Sequence, residues 1–430
     1  MHSLEGKKLL VLAGNAHMAE LVKRAKELGV YTIVTDYNDQ YDSPAKRVAD
    51  EAWNISWADL DLLEQRCRNV GIDGIVAGYS EFTVEKQIQL CRRLNLPCYC
   101  DEYQLDVTRN KDLFKRTCRQ NGVPVIKEYA SAADVSQFPV IVKPVDRGGS
   151  IGISVANDPE ELEQAVSYAM EMSGSKRIVI EDYISNGIKI DVYYGIIDGK
   201  ITLLSTSDTI NAIGNSGKAR FEKVIQNGWV SPSRYHDLIV KQADDNLRKM
   251  IEKLGIKYGF IFFSGFAIEK KDGVDFFFFE TGFRLSGGHL FNFFHQLGFV
   301  NVQDIFIYHA LLGNDYVEDI GEKKNNELKA AIVNYYAKSG TVTSIEGIDM
   351  IGSMDDCRFL LVTARYGQLC SEEKAILHKL AMFHFYNKSI SQLASDIEYA
   401  NKAFTVLNER GQDFVFERMD PNTVRYWWDS

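Results

Sequence analysis

Basic residues are not in surplus in this chain: 49 lysines and arginines face 59 aspartates and glutamates, giving a formal net charge of −10. A general nucleic-acid or anionic-membrane surface demands the opposite balance, so neither partner is expected and any phosphate binding must be local. Long apolar runs are missing as well. Those that exist, such as the one around Phe276 to Phe279, fall far short of a bilayer span. The opening stretch MHSLEGKK passes straight into a short strand, without the apolar core of a secretory leader. The seven cysteines are odd in number and scattered, and Cys98 and Cys100 lack the second pair that would complete a zinc site. Reduced thiols and a cytoplasmic location are expected. No internal repeat or low-complexity tract is present. The turn after the first apolar run, AGNAHMAE, carries only Gly14 where a dinucleotide fingerprint needs three glycines, so NAD binding is not expected there.

What is present is enough apolar residue, 45% of 430, to fill several cores, which predicts three or four structural units. The runs at 8–13 and 31–35 flank a helical pattern with Met18, Leu21, Val22, Ala25 and Leu28 on one face. A second such unit follows, with IDGIVAG at 72–78, a helix from about Thr83 to Leu94 and a short strand at Pro97 to Tyr99. Together they predict a small parallel sheet covered by helices. From Asn110 a helix leads to the strand FPVIV, a glycine loop, a helix at about Pro159 to Met172 and the strand RIVIEDYI, which suggests a small α/β lobe. Strands at 190–197 and 201–206, a long helix at about 235–254 and the aromatic strands FIFFSGFAI and DFFFFE come next, the last two dense enough in phenylalanine to predict burial on both faces. Beyond Glu327 short strands precede an amphipathic helix carrying Ile390, Leu393, Ile397, Ala400, Phe404 and Leu407, ended at Gly411. The expected units are 1–109, 110–189, 190–326 and 327–430.

The stretch KPVDRGGSIGI, Lys143 to Ile153, places a strand-end lysine beside a loop with three glycines. Gly148, Gly149 and Gly152 can turn main-chain N–H groups toward anionic oxygens, and Ser150 and Ile151 lie in the same loop. A glycine-rich hairpin tip with a surface lysine is the other reading of this segment alone. The rest of the chain adds Lys111 at a helix start, the strand end EDYI at 181–184 and the strand end ETGFR at 280–284.

This ordered set resembles the ATP-grasp enzymes over roughly residues 8–310. The first part is similar to that of biotin carboxylase and the carboxyaminoimidazole ribonucleotide synthases, and SGTVTSIEGID at 339–349 is similar to the last domain of L-amino-acid ligases. The fold implied is α/β and α+β multidomain: a pre-ATP-grasp parallel sheet, a two-lobed ATP-grasp module whose small lobe forms a lid, and a C-terminal α+β cap. ATP and Mg2+ are the implied cofactors. Lys111 and Lys143 would neutralise α- and β-phosphates, with the 148–152 loop over the β- and γ-phosphates. Glu181 would meet the adenine amino group, Asp182, Tyr183 and Ile184 would form the hinge that reads the base edge, and Phe278 would floor the ring or pack the core.

The resemblance is incomplete at two places. Lys189 stands where the family has a ribose-binding glutamate, with Asp191 as its stand-in. The metal run E-x-N-P-R becomes Glu280-Thr281-Gly282-Phe283-Arg284, and the preceding strand offers Gly265 where a carboxylate is usual. Glu280 is left as the metal ligand, with Glu269 as a rescue ligand. Arg284 would face an acyl phosphate, followed by Ser286, Gly287, Gly288 and His289 at the substrate end, where His289 either meets substrate or caps a helix. Glu81, at a strand's C-terminal end, would touch an amine substrate. The implied activity is ATP-dependent ligation of a small-molecule carboxylate to an amine through an acyl phosphate. A biotin- or purine-precursor-type carboxylase and a nucleotide-binding protein that has lost catalysis are the alternatives. The oligomeric state is left open, a homodimer included.

Overall fold

The computed structural model describes residues 3–146, 152–211, 225–371 and 378–428. The chain starts with strands β1 (Lys8–Leu12), β2 (Tyr31–Thr35), β3 (Glu51–Trp53) and β4 (Gly74–Val76) in a sheet of order β3-β2-β1-β4, all parallel. Between β1 and β2, helix α1 (Ala16–Glu27) begins where the Asn15 side chain accepts from the Met18 N–H, and it buries Met18, Leu21, Val22 and Ala25. Two local expectations differ. The three-residue strand β3 joins the edge, and Pro97 to Tyr99 run outside any strand, since a proline offers no N–H to a ladder.

A second, four-stranded sheet has the order β5-β8-β6-β7, from β5 (Glu128–Tyr129), β6 (Val140–Pro144), β7 (Ser154–Ala156) and β8 (Ile178–Asp182). The helix Pro159–Met172 covers it and closes a separate small core of Val140, Val142, Leu162, Ala165, Ala169 and Ile180. The largest sheet has eight strands. It runs from β13 (Gly273–Phe283) through β12 (Gly259–Lys270), β9 (Ile188–Ile197), β10 (Lys200–Asn211), β11 (Gln226–Ser231) and β14 (Lys329–Tyr336) to the strands Lys379–Asn387 and Cys357–Val362. The ladder is therefore continuous across residue 327, because β11 pairs directly with β14. The C-terminal helix spans Ile390–Ala403 and stops at Phe404, whose chain leads into the strand Thr405–Leu407; Gly411 serves a later turn with φ +70°.

All seven cysteines carry free thiols. Among the described residues no helix is long and apolar enough to cross a membrane.

Candidate functional site

The small sheet and the helix that precedes it bring three lysines to one carboxylate. Helix Lys111–Gln120 starts where the Asn110 side chain accepts from the Leu113 N–H, which places Lys111 in its first turn and Lys115 one turn later on the same face. Glu181 on β8 is almost fully buried. It takes an ion pair from Lys115, itself 1% exposed, and another from Lys143 on β6 at 2.8 Å. Burial alone would raise the Glu181 carboxyl, but the Lys143 and Lys115 charges override it and hold it at about 2. Lys111 is lowered by burial and by the like charge of Lys143, against the opposing pull of Glu280 and Glu181. The four expected positions Lys111, Lys143, Glu181 and Glu280 thus act on one another through space. Lys115 was missed in the sequence; its signal was the i, i+4 spacing from Lys111 beside the apolar Phe114 and Cys118.

Two expectations about the nucleotide's base need correction, those for Glu181 and Phe278. The Glu181 carboxylate is committed to two ammonium groups rather than presented to an adenine. In the hinge, the Tyr183 N–H already donates to the Pro139 carbonyl at 3.0 Å, and Asp182 accepts from the Tyr129 hydroxyl at 2.7 Å. Ile184 packs where a side chain at Gly187 would stand, 2.6 Å from that Cβ position. Phe278 is fully buried, edge-on to Phe263 at 6.4 Å, so it is core. The cause is a bulge: Ser264 pairs with Glu280 but Gly265 pairs with Phe278, which makes Phe279 the extra residue and turns it outward. There Phe279 stacks on Phe266 at 4.9 Å, with the Lys189 ammonium 5.9 Å from its ring. Of the glycine loop, Gly148, Gly149, Ser150 and Ile151 lie outside the described residues. Gly152 has φ +76°, and a side chain there would strike Pro144 and Met172.

The same bulge rearranges the expected metal position. Ser264, not Gly265, faces Glu280, and on its other side Ser264 faces Asp191 of β9, to which its hydroxyl is hydrogen-bonded. Glu280 is exposed while Asp191 is buried. Burial pushes the Asp191 carboxyl up, and the Glu280 charge adds to this against the pull of Lys189 and Ser264. The two absent ligands have a steric cause. A Cβ at Gly265 would lie 2.8 Å from the Phe277 carbonyl, and one at Gly282 only 2.4 Å from the Phe262 ring. Glu269 is not a rescue ligand. It sits five residues further along β12, roughly 16 Å away at strand spacing, paired with Arg234 at 3.0 Å and Tyr235 at 2.7 Å.

Arg284, at the end of β13, donates from Nε to Glu81 at 2.6 Å and lies 5.6 Å over the Phe262 ring. Glu81 opens the helix Glu81–Leu94 at the C-terminal edge of the first sheet, so this pair ties the first unit to the large sheet. The expectation that Glu81 touches an amine is replaced by this contact with Arg284. The following loop runs through Ser286, Gly287 and Gly288 to His289, whose backbone is left-handed at φ +51°. His289 does not cap the next helix, which spans Phe291–Leu297 with Leu290 at its N-cap. Its Nε2 meets His17 Nδ1 at 2.7 Å, and His17 comes from the first turn of α1.

Burial, helped by the Lys379 charge, lowers His17 to about 4 and His384, on strand Lys379–Asn387, to about 3. Unfolded imidazoles take a proton near 6.5, so between pH 6.5 and 4 the unfolded chain binds more protons than the folded one and stability is lost as the pH is lowered. The denaturant midpoint at pH 5 is expected to lie clearly below that at pH 7. Equal midpoints would show that these rings are not held neutral.

Comparison with known proteins places this arrangement. Residues 105–215 match the family model described as D-ala D-ala ligase C-terminus. Biotin carboxylase 1 of Bacillus subtilis (strain 168) is 25% identical over 210 residues, covering 43% of this chain and 46% of that protein. A D-alanine--D-alanine ligase of Fusobacterium nucleatum is 34% identical over 94 residues, 22% of this chain and 30% of that protein. The chain thus spans less than half the length of these curated relatives. The crystal structure of an L-amino acid ligase from Bacillus licheniformis superposes with a TM-score of 0.73 at 18% identity, over 94% of this chain and 99% of that one. The parallel first sheet, the small sheet carrying Lys143 and Glu181, and the large sheet ending at Arg284 therefore share the fold of that structure, the ATP-grasp fold.

Proposed function

We propose that this protein is an ATP-dependent ligase that joins a carboxylate to an amine by way of an acyl phosphate, with the site residues just described. The observation that carries the reading is the convergence of Lys111, Lys115 and Lys143 around Glu181, within electrostatic reach of Glu280. Lys111 in the first turn of its helix adds positive charge to the positive end of the helix dipole, an unfavourable placement that a bound anion reverses. A triphosphate is such an anion, and its charge would also offset the mutual repulsion of Lys111 and Lys143.

Magnesium, when bound, supplies positive charge to phosphate oxygens. Glu280, exposed and near Lys111, and Asp191, one strand beyond Ser264, are the carboxylates that would hold it. The Glu280 charge that helps raise Asp191 is one a bound cation would offset. Arg284 would bind the transferring phosphoryl group through Nη2, with Glu81 at Nε and the Leu285 carbonyl at Nη1 fixing its guanidinium. Glu81 is thus a positioning residue. The amine then displaces phosphate from the acyl carbon, and the carboxylate oxygen that attacked the γ-phosphorus leaves with the phosphate.

A second reading, a nucleotide-binding protein without ligase turnover, is favoured by the bulge that leaves no room for side chains at 265 and 282. A screen of carboxylate and amine pairs for released phosphate separates the two. Lys143→Ala is expected to weaken nucleotide binding at least tenfold, about 1.4 kcal/mol. Unchanged affinity in calorimetry would remove Lys143 from the nucleotide site.

A further inference from the structure

Beyond Arg284, where the first sheet, the 284–289 loop and the C-terminal strands meet, lies a polar cluster apart from the groups proposed to hold ATP and magnesium. His17 and His289 are stacked with ring centres 5.0 Å apart, His289 stacks on Phe359 at 4.9 Å, and Phe359 lies 4.8 Å from His384. Lys379, on the same strand as His384, holds its ammonium 5.6 Å from the Trp229 ring and 5.9 Å from the Tyr336 ring. Its charge reaches His17, His289 and His384 alike. Among the described residues no carboxylate forms an ion pair with it.

The polar atoms around it are also incomplete. His289 is fully buried, and among the described residues neither its Nδ1 nor the buried Ser286 hydroxyl has a hydrogen-bond partner. A buried polar atom left unpaired is costly, and the left-handed backbone at His289 adds strain. A core built for packing alone would carry apolar side chains here. Among the described residues, an ammonium without an ion pair and polar atoms without partners lack the same thing, a compact anion with several lone pairs. Because the 284–289 loop leads directly from the Arg284 guanidinium to this cluster, such an anion would sit on a substrate whose other end reaches the reacting centre.

We propose that Lys379, Ser286 and His289, flanked by His384, form a subsite for a carboxylate at the end of the substrate remote from the bond being made. The substrate class is an amino acid or short peptide with a free carboxylate, either the α-carboxylate or one on a side chain. This inference rests on the ligase reading for its substrate class, but its test needs no turnover. Neutral imidazoles suit the role: they donate to a carboxylate, and Lys379 keeps the charge.

The experiment is calorimetric binding to the full chain, loaded with a non-hydrolysable ATP analogue and magnesium, of L-alanine, L-alaninamide, L-aspartate and L-glutamate. An α-carboxylate ligand predicts that alanine binds and alaninamide does not. A side-chain carboxylate predicts that only aspartate and glutamate bind. In either case Lys379→Met is expected to weaken the acid at least tenfold with nucleotide affinity unchanged, Lys379→Arg to retain much of it, and Ser286→Ala to weaken it severalfold. The proposal is overturned if alaninamide binds as well as the acids, if none of the four binds, or if Lys379→Met and Ser286→Ala bind acid like the parent. Should Lys379→Met fail to fold, Ser286→Ala decides alone. Loss of nucleotide binding in Lys143→Ala is a separate result, so failure here and failure of the ligase reading can be told apart.

Discussion

Glu280→Gln is expected to lower phosphate release about a thousandfold while the chain folds as before. Glutamine keeps the size and hydrogen bonding of the side chain but removes the charge that would balance a cation. Glu280 is exposed, so folding does not depend on it. With bulky residues filling the positions beside Gly265 and Gly282, only Asp191 remains as a carboxylate on the same cross-strand row, and Asp191 is buried behind Ser264. Losing the exposed partner therefore removes most of the stabilisation of charge in the transition state, about 4 kcal/mol for three orders of magnitude. Steady-state phosphate release across a magnesium titration reads the effect. A variant that turns over at the parental rate would remove Glu280 from the metal site.

The largest effect on stability is expected from Glu181→Gln, which leaves the buried Lys115 with only the longer 3.4 Å contact to Glu128 and takes from Lys143 its Glu181 partner. Breaking one partner out of a buried pair typically costs about 3–5 kcal/mol. Proton linkage gives a similar size. A carboxyl that titrates near 4.5 in the unfolded chain and at about 2 in the folded one contributes roughly 3 kcal/mol, present above pH 4.5 and lost as pH falls toward 2. Denaturant unfolding at pH 7 should show that loss, and at pH 3 the gap between parent and variant should narrow. Equal stability at pH 7 would mean that Glu128, not Glu181, balances the Lys115 charge.

Much of the fold was legible because it is written in local patterns. The apolar runs at 8–12 and 31–35 with the helical stripe between them specify a parallel pair, and the phenylalanine-dense runs specify the β12–β13 hairpin. Strand Glu51–Trp53 was not legible, since three residues with a leading glutamate carry no periodicity. The site was legible where a residue stands at an element's end, as Lys143 and Arg284 do. Register was not. The bulge at Phe279 cannot be read from a run of four phenylalanines, and it moved Phe278 into the core and set Ser264, rather than Gly265, against Glu280. Contacts distant in sequence were also invisible: His17 meets His289, and Glu81 meets Arg284, only because the first sheet is folded back on the large one. Lys115 reads as one more surface charge in KDLFKRTCRQ until the helix is seen to bury its face.

The account stands most directly on where the oxygen in the released phosphate comes from. A carboxylate substrate labelled with 18O in both oxygens, given with its amine partner and ATP, should pass one labelled oxygen to phosphate for each bond formed, because the carboxylate oxygen that attacks the γ-phosphorus leaves with it. Phosphate without the label, its one added oxygen taken from water, and no ligated product would contradict an acyl-phosphate ligase and leave the nucleotide-binding reading in its place.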